Sequence, residues 1–129
     1  MSALPPDDVR RSGEAALSTR HLSDSAIVHW DAIAGTTGRL AAMAGLGAGK
    51  ACAATAKLLP LLEGADAWQR EVGSEAIADI AAMLTSGMAA LDVLQRRGID
   101  ARIPAFALWR EVDAAQRSLI AMLAADTRV

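Results

Sequence analysis

The sequence predicts an all-α fold: an up-and-down bundle of four principal helices with a short N-terminal helix and no sheet. Three observations point there. Apolar residues recur at three- and four-residue spacing through almost every long segment, and nothing alternates cleanly with period two. Alanine supplies 30 of the 129 residues, and β-branched side chains are scarce beside Ala and Leu, which favours helix over strand. Helix-start and helix-stop residues divide the chain into five pieces with short links, the pattern of a bundle.

The first piece opens at Pro5-Pro6 and Asp7-Asp8, since proline and early acids suit a helix N-terminus. Its apolar face is thin (Val9, Ala16, Leu17), so residues 1–22 read as an arm or short helix and 23–129 as the bundle domain. Ser23-Asp24-Ser25 is the next start signal. Ile27, Trp30, Ala34, Thr37, Ala41 and Ala44 follow as a stripe that Ile33, Leu40 and Met43 widen.

Gly45 to Gly49 predicts a turn or a marked break, because each glycine costs roughly 1 kcal/mol against alanine in a helix. Lys50–Leu59 resumes as a small-residue helix, bent or stopped near Pro60, with Gly64 as a terminal stop. Asp66 can cap the longest element, Ala67–Arg97. Its a/d register holds Ile77, Ile80, Leu84, Gly87/Met88, Leu91 and Leu94. Gly73-Ser74 is a place where that element could divide, and Gly98 closes it. Asp66–Arg70 and Asp92–Arg96 are spaced as i,i+4 ion pairs. Pro104 reads as the first position of the last helix, whose inner face is Leu108, Trp109, Val112, Ala115, Leu119, Met122 and Leu123. Arg110–Asp113 and Asp113–Arg117 lace its outer side.

Charge and composition exclude several functions. Lys+Arg 13 against Asp+Glu 15 gives a net charge of −2, so there is no polycationic footprint for nucleic acid. One cysteine allows no internal disulfide, and two histidines make no dense metal cage. Arg10-Arg11 is followed by Ser12-Gly13-Glu14 and only a brief apolar run, which does not fit an export signal. The longest uncharged runs, Leu40–Gly49 and Ile80–Leu91, fall short of the roughly 20 residues of a membrane span. These features predict a cytoplasmic protein with no membrane span.

The middle of the chain is unusual in two ways. No acid occurs between Asp31 and Glu63, where the only charges are Arg39, Lys50 and Lys57. Small residues also fall four apart, as Ala34, Gly38, Ala42 and as Ala41, Gly45, Gly49. Such rows let helices approach closely. They predict either tight packing inside the bundle or a self-association surface, in a homodimer or higher homo-oligomer.

The catalytic signals are weak. Gly45-Leu46-Gly47-Ala48-Gly49-Lys50 leaves three residues where a phosphate loop needs four, and Ala51 replaces its Ser or Thr. His29 beside the apolar stripe suggests a histidine phosphotransfer module, although the lysine and glycine expected one turn later are missing. His21 falls in a linker. Glu71, Glu75 and Asp79 share one helix face at i,i+4 spacing and read as a solvated row. Neither histidine has a glutamate three residues before it, so the di-iron pattern fails. Cys52 among alanines reads as a small core residue. No cofactor and no metal is expected.

Trp30, Trp68 and Trp109 stand one per major helix. They anchor helix crossings or, with Met43, Met83, Met88 and Met122, line a pocket. Asp79 to Arg117, through Gly98-Ile99-Asp100-Ala101-Arg102-Ile103-Pro104, resembles part of the C-terminal helical domain of the β-hydroxyacid dehydrogenase and imine reductase families. There a long helix ends in Gly-(Val/Ile)-Asp and a proline opens the next. The resemblance implies a helical hairpin at this place.

The functional expectation is a non-catalytic bundle that self-associates and binds a protein partner or small apolar ligand through a helical groove. Its candidate residues are Trp30, Ala34, Gly38, Ala41, Gly45, Met83, Met88 and Trp109. The alternatives are an enzyme or enzyme subdomain with a Trp/Met-lined substrate pocket, and phosphotransfer at His29.

Overall fold

Five α-helices and no strand make up the described residues, 24–125, of the computed structural model: α1 (Asp24–Met43), α2 (Ala48–Ala51), α3 (Ala53–Glu63), α4 (Ala67–Arg96) and α5 (Arg102–Ala124). The expected N-terminal arm, residues 1–22, lies outside them. The long helices alternate in direction along the chain. In space, α1, α4 and α5 all pack on one another, while α3 packs mainly on α5 and less on α1. Helices α4 and α5 run antiparallel, with Gln69 beside Met122 and Gly87 beside Leu108. By contrast α3 and α5 run the same way, Ala51 meeting Trp109 and Thr55 meeting Gln116. Ile33, Leu40, Leu58, Leu62, Ile77 and Val112 are fully buried at the centre. Each such side chain contributes roughly 1.5–3 kcal/mol of burial free energy.

The inner face of α1 is rotated from the expected stripe. Ala26, Ile33, Thr37, Leu40 and Ala41 are buried, whereas Ile27 is 39% exposed. The larger side chains Ile33 and Leu40, assigned to the margin of the stripe, are its middle, because bulk rather than the count of apolar positions sets which side turns inward. Helix α1 ends at Gly45 with φ +77°, and α4 ends at Gly98 with φ +75°. Both close as Schellman motifs. Gly45 N–H donates to Ala42 O at 3.1 Å and Leu46 N–H to Ala41 O at 2.8 Å; Gly98 N–H donates to Gln95 O at 3.0 Å and Ile99 N–H to Leu94 O at 2.9 Å.

Four expectations about breaks and starts are corrected. Pro60 does not stop its helix: α3 runs on to Glu63, and Pro60 sits on the exposed side of it. Cys52 makes the interruption instead, between α2 and α3. Nor does Gly73-Ser74 divide α4. A Cβ on Gly73 would stand 2.5 Å from Leu62 Cδ1, so this glycine marks a close crossing, not a turn. Pro104 is the third residue of α5, not the first; proline fits there because first-turn N–H groups have no partner within the helix.

The small-residue rows do not mark the tight crossings. A Cβ at Gly35 or Gly38 would meet nothing within 4 Å, whereas one on Gly87 would collide with Leu108. Close approach belongs to α4, at Gly73 and Gly87. Asp92 reaches across to Arg39 of α1 at 4.0 Å rather than along its own helix to Arg96, and Arg70 donates to Ala65 O at 2.6 Å. Asp113–Arg117 forms as expected, at 2.7 Å.

Helix α4 is long and apolar enough to cross a membrane, with a mean hydropathy of 1.6 over its best window. The residues that raise this value include Ile77, Ile80, Leu84, Met88 and Leu91, all of which are core.

Candidate functional site

A cleft of about 410 Å³ opens between α4 and α5 on the outside of the bundle. Helix α4 lines it with Val72, Ala76, Asp79, Ile80 and Met83, which recur at helical spacing along one stripe. Helix α5 adds Ala115, Ser118, Leu119 and Met122. The sequence explains why it stays open. At one end Gly87 lets α4 close onto Leu108; at the other, Gln69 Nε2 donates to Met122 O at 3.0 Å. Between these ties Ala76, Ala115 and Ser118 are too small to fill the space. Gln69 is itself fixed by a capping box with Asp66, whose N–H donates to Gln69 Oε1 at 3.0 Å.

Apolar atoms dominate this surface. Ile80 and Leu119 form the floor and belong to the core at 3% and 5% exposure. Met83 and Met122 are partly buried walls. Val72 is 48% exposed, and Trp68, one turn earlier on α4, is 50% exposed and extends the apolar surface beyond the mouth. Asp79 is the single charge on the lining.

A second polar arrangement lies inside. Trp30 Nε1–H donates to Thr55 O at 3.0 Å, and Trp109 Nε1–H to Ala51 O at 3.1 Å. Thr55 Oγ1 donates to Gln116 Oε1 at 2.7 Å. Gln116 is fully buried, and its Nε2 has no hydrogen-bond partner among the described residues. Thr37, also fully buried, turns its hydroxyl back to Ile33 O.

The residues singled out from the sequence do not converge on one place. Met83 lines the cleft, while Met88 is buried in the core. Trp30 and Trp109 are held by the hydrogen bonds just described. Ala41 is buried, Ala34 and Gly38 are half-buried on α1, and Gly45 is exposed at its cap. His29 is half-buried on α1 and Cys52 half-buried between α2 and α3. Among the described residues, no three His, Cys, Asp or Glu side chains gather as a metal-binding group.

A smaller cleft of about 190 Å³, between α3 and α5, has Lys57 and Arg117 on its lining; Arg117 is already paired with Asp113.

Comparison of the chain with protein-family models, curated proteins and solved structures finds no match. Around Gly98–Pro104 the chain forms a helix junction, a Schellman stop followed by Asp100 Oδ1 accepting Arg102 N–H at 3.0 Å.

Sequence reasoning missed Val72, Ala76, Asp79, Ala115 and Ser118 as members of a groove. A signal was present in α4: Trp68 and Val72 are large apolar residues one turn apart and outside the Ile77–Leu91 register.

Proposed function

We propose that this chain is a non-catalytic interaction module whose working surface is the α4–α5 cleft, which takes up an apolar helix face or a small apolar ligand. One observation carries the reading: an apolar cleft of about 410 Å³ that bears one charge and has the core as its floor. Clefts between bundle helices are common ligand sites, and a few polar groups within an apolar lining fix orientation. Methionine is unbranched and polarizable, so Met83 and Met122 can conform to differently shaped apolar guests. An amphipathic helix would present anchors at i, i+3, i+4 and i+7 along such a groove.

The test is Nile red, a neutral polarity-sensitive dye, added to the full chain and to a Val72→Glu/Ala115→Glu variant. Both positions lie at the cleft but outside the fully buried core. Dye fluorescence should rise with the parent protein and fall to the free-dye level with the variant, while far-UV circular dichroism is unchanged. Equal fluorescence from the two proteins would place the apolar site elsewhere.

A further inference from the structure

We infer that the junction between α4 and α5, residues 96–106, is a second interaction surface, and that it docks in the α4–α5 cleft of another copy of this chain. The inference rests on the cleft being a docking surface and adds what fills it.

The junction is apolar at its tip and basic around it. Ile103 is 82% exposed, and Ile99 in the turn before it and Phe106 one turn after it are exposed as well. Large apolar side chains gathered this openly mark a contact surface. Arg96, Arg97 and Arg102 flank them, all exposed. The carboxylates of this end are already engaged: Asp100 Oδ1 accepts Arg102 N–H at 3.0 Å, and Asp92 lies 4.0 Å from Arg39. Lys50 adds to the positive excess. It follows closely on the α1 cap at Gly45, where an added Cβ would stand 3.7 Å from Arg102 Nε.

The cleft has the opposite rim. Its lining is apolar with Asp79 as the one charge. Glu71 and Glu75 precede Asp79 on α4 at one-turn intervals, and Glu111 lies one turn before Ala115 on α5; all four acids are exposed. Among the described residues no cation stands within ion-pair distance of any of them. The nearby cations are committed elsewhere, Arg70 to Ala65 O and Arg117 to Asp113. Arg110, seven residues after Ile103, lies on the stripe of the junction and not on that of the cleft. Like charges at i,i+4 repel, so a cationic partner relieves a repulsion already present in α4.

The two surfaces are therefore complementary twice over, apolar tip to apolar groove and arginine rim to carboxylate rim. Guanidinium groups pair with carboxylates in a fixed, forked geometry. Opposed rims of this kind steer the encounter and set its register, while the buried apolar centre holds it. Junction and cleft occupy different ends of the same helical hairpin, since Gly87 and Leu108 close the cleft on the side toward the junction. A chain cannot fill its own cleft this way. The contact is heterologous and joins copies head to tail into a ring or an open chain.

The experiment is sedimentation velocity on the full chain across a range of concentration, at low and at high salt. One variant, Arg96→Glu/Arg97→Glu, reverses the junction; a second, Glu75→Arg/Asp79→Arg, reverses the cleft rim; a third carries all four changes. The parent should show species heavier than 13.4 kDa that grow with concentration and shrink with salt. Each two-residue variant should sediment as a monomer, with far-UV circular dichroism unchanged. The four-residue variant should associate again, because opposite charges face each other once more. A parent that stays monomeric, a two-residue variant that associates as the parent does, or a four-residue variant that recovers nothing would each overturn the inference. Nile red is read on dilute protein, before copies associate. Dye uptake by a parent that stays monomeric at every concentration would keep the cleft and remove this occupant, so the two failures are told apart.

Discussion

Trp30 on α1 and Trp109 on α5 grip the same short segment from two sides: their indole N–H groups donate to Thr55 O and Ala51 O, carbonyls one helical turn apart. The α2–α3 segment between them is short and interrupted at Cys52, so it has little helical stability of its own. The two rings fasten it to the bundle.

Replacing either tryptophan by phenylalanine removes the donor and leaves much of the apolar body. Trp30→Phe and Trp109→Phe should each lower stability by about 1 kcal/mol. Urea denaturation of the singles and the double variant would measure both losses.

Gln116 and Thr55 form a buried pair in which one amide end has no partner among the described residues. Thr55→Val alone strips the pair of its hydrogen bond and should cost roughly 1–3 kcal/mol, because Gln116 is left wholly unsatisfied. Adding Gln116→Met should return most of that loss, since replacing both partners with apolar groups of similar shape is close to neutral. A double-mutant cycle by thermal unfolding reads the difference.

Glycines of the same helical class should respond in opposite directions. Gly38→Ala meets open space and should raise stability by about 0.5–1 kcal/mol through helix propensity. Gly73→Ala drives a methyl against fully buried Leu62 and should lower it by roughly 1–3 kcal/mol. Both are measured by chemical denaturation at a low, fixed protein concentration.

Gly98→Ala should cost roughly 1–2 kcal/mol, because alanine is strained at a positive φ. The same substitution at Gly45 should behave alike, since both residues close the same motif. Paired melting curves would show whether the two losses match.

Much of the fold was legible because local chemistry dictates it. Gly98 stops a helix wherever it follows one, and the Ile77–Leu91 register can only face a core. Misreadings came where a residue's meaning depends on its neighbours in space. Gly73 looks like a break until Leu62 is set against it. Gln116 carries no sign of its burial in the sequence; Thr55 meets it inside. Ile27 lost its inward place to Ala26 because the bulk of Ile33 and Leu40 set the rotation of α1. The cleft was least legible: it exists only through the relative rotation and spacing of α4 and α5, which no periodicity in either helix encodes. Met83 was picked out for its side chain, and Ala76 and Ala115 matter for what they leave empty.

Ile80 and Leu119 have two roles at once, for the cleft floor they form is also the outer skin of the hydrophobic interior. Whatever settles there completes the wall of the protein's own centre. Occupancy and melting temperature are then thermodynamically linked, and a guest's affinity can be followed by calorimetry without a label or a reporter group.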